Sequence, residues 1–431
     1  MLVAPPVWTA RGLAALSSPR LAQSAAVLHL CGSRLLVNGA VALLRAASSR
    51  PAAGLPLLWA MKQTAFRHFT AGESLADVRA AAATLAPAGV RMIVDHSTEE
   101  SEAADARQAN LRAKVALLGK LRAELAGECV FVPIKLTALA SPTLLERLTA
   151  GAGRLGGGGG GCGGGCPEAL RAAAEAATLT AAEEGELEEG LALLRALAAA
   201  AREEGISLLL DAEQTHRQPG ITLLARLLAS EFNAPGAERP VVYHTVQAYL
   251  RSAEHEVEAE LEAARGGGYS FAAKLVRGAY RHTELSRAPA ALQPSKSHTD
   301  AAYDTCARTL LRAVAEAPPA SPSRRAALLL ATHNRASARA VAEEVDALKL
   351  PRSDPCVHLA QIQGMADDLT LTLGLMGYNA LKLMPYGHFD EVLPWLLRRL
   401  EENQDALGAA GEERPLLRHE MRRRLLGSSA A

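Results

Sequence analysis

Acidic residues are missing from the start of the chain. No Asp or Glu precedes Glu73, where the average of 46 acids in 431 residues would place about eight. The same stretch carries Arg11, Arg20, Arg34, Arg45, Arg50, Lys62 and Arg67 among many Ser, Ala and Leu. An Arg-rich, Ser-bearing, acid-poor leader has the composition of an organelle transit peptide, and it lacks the compact apolar core of a secretory signal. Residues 1–32 are therefore read as a mitochondrial transit peptide, with a plastid address as the alternative. Residues 33–89 are read as an N-terminal helical region, because Ser33 to Trp59 has helical apolar spacing.

Other absences narrow the class. Lys+Arg and Asp+Glu both number 46, so there is no basic excess and a general nucleic-acid binder is disfavoured. Six cysteines scattered over the chain make no disulfide framework and suit a reducing compartment. Cys162 and Cys166 stand in a glycine run without further ligands nearby, so the run reads as a flexible loop rather than a metal site. Charged or polar residues break every long apolar stretch, which leaves no helical membrane span and implies a soluble or peripheral protein. Neither GxGxxG after the first strand nor GxxxxGK[ST] is present, so a Rossmann dinucleotide fold and a P-loop are unsupported.

What is present is an alternation. Eight short runs rich in Val, Ile and Leu recur: Val90–Val94, Val130–Leu136, Ile206–Leu210, Val241–Val246, Phe271–Val276, Ala327–Ala331, Val357–Ile362 and Ala380–Met384. Between them lie segments with the i, i+3, i+4 spacing of helices, and Pro167 to Glu204 is rich in Ala, Glu, Leu and Arg and reads as helical. Eight strand–helix units predict an α/β fold, a (β/α)8 TIM-type barrel over 90–425. A flexible Gly-rich insertion falls at about 150–167. A doubly wound open sheet is the alternative.

In a barrel the chemistry sits at the C-terminal ends of the strands. Those ends carry Asp95 and His96, Lys135, Asp211 and Glu213, Gln247, Lys274 to Tyr280, Thr332 to Asn334, Gln361 and Gln363, and Tyr386, with Arg398, Arg399 and Glu402 on the last helix. Lys135 and the Arg398/Arg399 pair suit a carboxylate. Gln247, Lys274, Arg277 and the Gly278 backbone suit an anionic cofactor such as a phosphate-bearing nucleotide. Each residue alone has a plainer reading: a lysine reaching the surface, an acid capping the next helix, an arginine pair on a solvated face.

Several strings go further. Lys274–Tyr280 (KLVRGAY), Asp211–Thr215 (DAEQT), Ala331–Asn334 (ATHN), Gln363–Met365 (QGM), Met384–Gly387 (MPYG) and Arg398–Asn403 (RRLEEN) resemble the proline dehydrogenase family, in order along the chain. Ile134–Ala138 (IKLTA) and Phe69–Glu73 (FTAGE) are similar to it too. The resemblance implies a (βα)8 barrel with noncovalent FAD. It implies oxidation of L-proline to Δ1-pyrroline-5-carboxylate, with electrons passed to quinone or the respiratory chain and possible peripheral association with the mitochondrial inner membrane.

It also implies roles. Lys135, Arg398 and Arg399 grip the substrate carboxylate, Asp211 lies near the substrate paired with Lys135, and Tyr280 packs on the substrate ring. Gln247, Lys274, Val276, Arg277, Gly278 and Ala279 line the flavin and its pyrophosphate. Thr332, His333 and Asn334 form a flavin-side loop, and Glu402 contacts the far end of the cofactor. Two pocket positions depart from the family pattern. Leu383 and Trp395 stand where tyrosines are usual. An apolar Leu383 gives a C4 hydroxyl no partner, which favours proline over hydroxyproline. Three rival readings are hydroxyproline dehydrogenation, a non-catalytic flavin-binding barrel, and a Schiff-base aldolase using Lys135.

Overall fold

The computed structural model describes residues 10–31, 38, 39, 42, 56, 58–96, 103–125, 127–156, 166–235, 237–318, 321, 326–405 and 407–426, without the side chains of 10, 11, 31 and 398–412. Strands β1 (Arg91–His96), β2 (Cys129–Ile134), β3 (Ser207–Leu210), β4 (Val242–Gln247), β5 (Phe271–Val276), β6 (Ala326–Ala331), β7 (Val357–Ile362) and β8 (Ala380–Tyr386) close into a barrel in sequence order. Pairing is parallel, as between β1 and β8, where Ile93 lies opposite Leu383 and His96 opposite Tyr386. Parallel strands covered on both faces must be apolar throughout, and β2 and β4 are buried along their whole length.

The helices are α1 (Ser18–Cys31), α2 (Leu75–Leu85), α3 (Ala104–Leu125), α4 (Pro142–Arg154), α5 (Cys166–Ala177), α6 (Ala181–Glu203), α7 (Gln218–Phe232), α8 (Ala253–Gly267), α9 (Arg281–Arg287), α10 (Lys296–Ala315), α11 (Arg335–Ala347), α12 (Asp367–Leu375), α13 (Phe389–Asp405) and α14 (Leu407–Leu425). Local chemistry sets several starts. Ser74 and Asp77 form a reciprocal capping box on α2, as Thr180 and Glu183 do on α6. The region from Pro167 to Glu204, expected to be helical, forms two helices. Thr178 adopts φ +52°, which ends α5, and the Thr180 cap starts α6.

The strands expected from the sequence appear with ends shifted by a few residues. The largest consequence is at β2, which stops at Ile134. Lys135 is therefore not a strand residue but leads the 3-10 turn Leu136–Ala138. β8 runs on through Pro385 to Tyr386.

The chain forms two compact units. The larger comprises Thr98–Thr332 and Ala336–Leu359. Its interior packs Phe131 edge-on against Tyr243 and His358, with ring centroids 5.0 Å apart in both cases. The smaller comprises Met1–Ser97, His333–Arg335 and Ala360–Ala431. One of its cores gathers Val27, Met61, Phe66, Phe69, Phe389, Val392, Leu393 and Leu396; another gathers Leu13, Leu21, Leu28 and Leu417. Residues 10–31, which the sequence assigns to a transit peptide, thus pack against α14 in the full chain. Arg424 of α14 also donates to the carbonyls of Leu13, Ala14 and Leu16. Most of 33–59 and of the Gly-rich insertion lies outside the described residues. No described helix is long and apolar enough to cross a membrane.

Candidate functional site

In the larger unit, the end of β5 is organised around Arg277. Its guanidinium donates to Asp300 (2.6 Å), Thr332 Oγ1 (2.7 Å) and Ser337 Oγ (2.9 Å) and lies 4.2 Å from the Tyr303 ring centroid. Tyr303 is buried and donates to the carbonyls of Leu275 and Ala331, tying β5 to β6 beneath the arginine. Burial opposes ionisation of Asp300, but Lys296 and Arg277 outweigh it and hold the carboxyl below its ordinary range. Arg277 is thus a fixed, half-buried cation rather than a swinging one.

Gly278 follows with φ +128°, and a Cβ there would lie 2.3 Å from the Tyr249 ring, so the turn requires glycine. Val276 and Gly278 are half-buried, Ala279 is exposed, and Tyr280 is half-buried at the start of α9.

Lys274, on the same β5, reaches two strands across to donate to Asp211 Oδ1, just after β3, at 2.6 Å. The pairing expected for Asp211 was with Lys135, and the structure replaces it. Lys135 is half-buried and has no partner among the described residues, which leaves a cation able to take a carboxylate. Gln247 is buried with its amide donating to the Glu213 carbonyl. Glu213, which the expected site did not include, is buried and accepts from Thr137 and Arg217.

In the smaller unit, His333 Nε2 accepts from the Ile362 amide at 3.0 Å, which fixes it as the acceptor nitrogen, and Asn334 is half-buried. Leu383 is half-buried on β8, and its carbonyl accepts from the Gln363 amide. Trp395 packs, partly buried, against the Phe66–Phe389 core from α13. The FTAGE string orients α13: Glu73 accepts from the Phe389 amide at that helix's start and pairs with Lys62, whose hydrogen bond holds the carboxyl low. Arg398, Arg399 and Glu402 are on α13, and their side chains are outside the described residues.

The expected site also missed a buried cluster in this unit. Lys382 is 1% exposed and its three N–H groups meet Asp367 (2.7 Å), the Met365 carbonyl (2.7 Å) and the Ile362 carbonyl (3.1 Å). His68 Nε2 donates to the Gly364 carbonyl, and burial lowers its imidazole to about 4, so it is neutral. A lysine in the apolar run ALKLM was the one available signal.

A cavity of about 440 Å3 lies at the opposite end of the strands in the larger unit, among Arg122, Cys129, Arg202, Ile206, Arg239 and Val241. That end of such barrels serves stability, so cavity size does not mark the reacting end.

The barrel with these strand-end residues matches known proteins. The family described as Proline dehydrogenase matches residues 78–410. Hydroxyproline dehydrogenase of Mus musculus is 32% identical over 429 residues, covering 95% of this chain and 92% of that protein. Proline dehydrogenase 1, mitochondrial, of Bos taurus is 37% identical over 188 residues, covering 44% of this chain and 30% of that one. Among solved structures, proline utilization A from Bdellovibrio bacteriovorus superposes with a TM-score of 0.61 at 21% identity, over 81% of this chain and 34% of that much longer one. The chain belongs to the proline dehydrogenase family of oxidoreductases.

Proposed function

We propose that the chain is an FAD-dependent dehydrogenase that oxidises L-proline to Δ1-pyrroline-5-carboxylate and hands the electrons to a quinone. The supporting observation is the fixed Arg277 beside Gly278. A cation held in place by Asp300, Thr332 and Ser337 at the end of β5 has the donor chemistry a nucleotide pyrophosphate needs. Gln247, Lys274, Val276, Ala279, Thr332, His333, Asn334 and Glu402 are the further residues that would hold FAD. When bound, FAD supplies the hydride acceptor.

The chain's own residues do the rest. Lys135, Arg398 and Arg399 anchor the carboxylate and so set the carbon beside nitrogen in place. Asp211, neutralised by Lys274, stands near the substrate without adding net charge. Tyr280, Leu383 and Trp395 wall the ring. The ring nitrogen must lose its proton before a hydride can leave the adjacent carbon.

Leu383 favours proline, because a C4 hydroxyl against it would be buried without a partner, at a cost of about 1–3 kcal/mol. Hydroxyproline is the second reading, favoured by the relatives matched over nearly the whole chain, which carry the name hydroxyproline dehydrogenase. The acid-poor leader, and relatives named as mitochondrial, support work in mitochondria, with peripheral inner-membrane association suited to a quinone acceptor.

The test is an anaerobic titration of the purified full chain followed by its flavin spectrum. Bleaching by L-proline, and much less by 4-hydroxyproline, is the expected result. The reverse order moves the assignment to hydroxyproline. A bound flavin that neither imino acid bleaches points to the non-catalytic barrel, and a chain that takes up no FAD ends the proposal.

A further inference from the structure

The loop that joins β7 to α12 is held at six of its backbone polar groups by side chains from elsewhere in the smaller unit. The Ile362 amide donates to His333 Nε2, and the Ile362 and Met365 carbonyls accept from Lys382. The Gln363 amide donates to the Leu383 carbonyl, and the Gly364 carbonyl accepts from His68. The last two amides, of Ala366 and Asp367, donate to the two oxygens of Glu413 at 2.8 and 3.1 Å.

Glu413 comes from α14, some 46 residues along the chain from Asp367, and is 3% exposed. Ala366 sits at φ +48°, a left-handed conformation that side-chain-bearing residues adopt only when their surroundings enforce it, at a cost of about 1–3 kcal/mol. The Glu413 carboxyl is the enforcing group: it takes the Ala366 amide and also caps the first turn of α12.

We propose that Glu413 is a positioning residue for the reaction: it grips the α12 end of this loop and so holds its β7 end, where the Ile362 and Gln363 amides meet His333 on the flavin side and the Leu383 carbonyl on the substrate side. The inference rests on the functional reading above, which places those two residues in the site. It gives the C-terminal helix α14 a role in shaping the mouth of the barrel.

The clamp is sensitive to pH. Burial, then Asp367 and Asp368, raise the Glu413 carboxyl to about 8; Lys382 opposes them more weakly. The groups around it are Asp367 and Asp368 on α12, Lys382 on β8, Arg335 paired with Asp368, and His68 and Arg20 close to Asp367. A carboxyl raised in the folded state contributes its stabilisation below its unfolded value and loses it as pH rises through the folded one. Between about pH 4.5 and 8 the folded unit therefore loses stability, while the carboxylate formed as pH passes about 8 is the stronger acceptor for the Ala366 and Asp367 amides.

The test compares the full-length chain with Glu413→Ala and Glu413→Gln. Hydrogen exchange of the Ala366 and Asp367 amides reads the clamp without any activity. Glu413→Ala should speed both by about tenfold or more, whereas Glu413→Gln keeps a single acceptor oxygen and should leave only one of the two amides near the parent. In steady state, Glu413→Ala should raise KM for L-proline about tenfold with a smaller change in kcat, as expected for lost positioning. Urea unfolding should show the parent losing stability relative to Glu413→Gln as pH rises from about 5 to about 8, since only the parent has a proton to lose there.

Unchanged exchange in Glu413→Ala would overturn the clamp. Faster exchange with unaltered KM would overturn its role in the reaction. A parent chain reduced by neither imino acid would fail the functional reading, and the exchange data would still decide the clamp.

Discussion

Two lysines sit in apolar strands of this barrel, and each meets an aspartate at nearly the same distance. Lys274 on β5 reaches Asp211 at 2.6 Å in the larger unit, and Lys382 on β8 reaches Asp367 at 2.7 Å in the smaller. Their surroundings differ. The Lys274 and Asp211 side chains are 18% and 30% exposed, while those of Lys382 and Asp367 are 1% and 8% exposed. The first pair is part-exposed, so water reaches both of its groups. The second is dry, its lysine also donates to two backbone carbonyls, and burial would raise the Asp367 carboxyl were it not for Lys382, Arg20 and His68, which hold it low. The same two residue types thus make a part-exposed pair at the C-terminal end of the strands in one unit and a dry structural bolt in the other, and solvent access is what separates them.

The sharpest way to break this comparison is to remove both amines. Lys382→Met should cost about 3–5 kcal/mol, because it strands a buried carboxylate and frees two backbone carbonyls. Lys274→Met should cost no more than about 1 kcal/mol in stability while slowing flavin reduction at least tenfold. Thermal unfolding of the two variants checks the first contrast and stopped-flow bleaching the second. Equal losses of stability would show the pairs to be alike.

A slightly smaller effect tests the packing beneath the bolt. Leu13→Ala empties a site enclosed by Leu21, Leu28 and Leu417 and should cost about 2–5 kcal/mol by urea unfolding. No measurable loss would mean that residues 10–31 do not cover α14 in solution.

The third effect is the pH dependence of the same unit. Burial lowers His68 from 6.5 to about 4, so its folded state binds protons less readily than its unfolded state. The contribution is fully present above pH 6.5 and is lost as pH falls through about 4. Between those limits the parent should lose up to about 3 kcal/mol that His68→Gln, which has no proton to gain, does not lose. Parallel urea curves for parent and variant at pH 7 and 4.5 check it; an identical drop in both would assign the loss to other groups.

Much of the site's frame was legible in the sequence. Arg277 could be picked from KLVRGAY, since an arginine and a glycine together at a strand end suit an anion. Its actual partner Asp300 could not, because that residue lies in an Ala- and Ser-rich stretch and meets Arg277 only when α10 packs on β5. Asp211 was correctly placed at the end of β3, yet its cation was misjudged. Lys135 follows the strand adjacent to β3, but β2 ends at Ile134 and Lys135 leads a 3-10 turn, whereas Lys274 stays in extended β5 and reaches across. Lys382 gave a local signal of cost without a signal of partner. Glu413 gave none, for a glutamate in a charged helix looks like any solvated residue until its amide partners arrive from another element.

By itself the sequence determined the alternation of eight strands with helices, because burial on both faces of a strand and one face of a helix imposes its period on neighbouring residues. It also determined the order of the strand-end motifs. Only the tertiary structure decided which lysine lies in water and which is dry, and which carboxylate answers each cation. Those pairings join residues as far apart as the 63 positions between Lys274 and Asp211. Their strength depends on distance and on the dielectric around them, and both are set by packing rather than by local sequence.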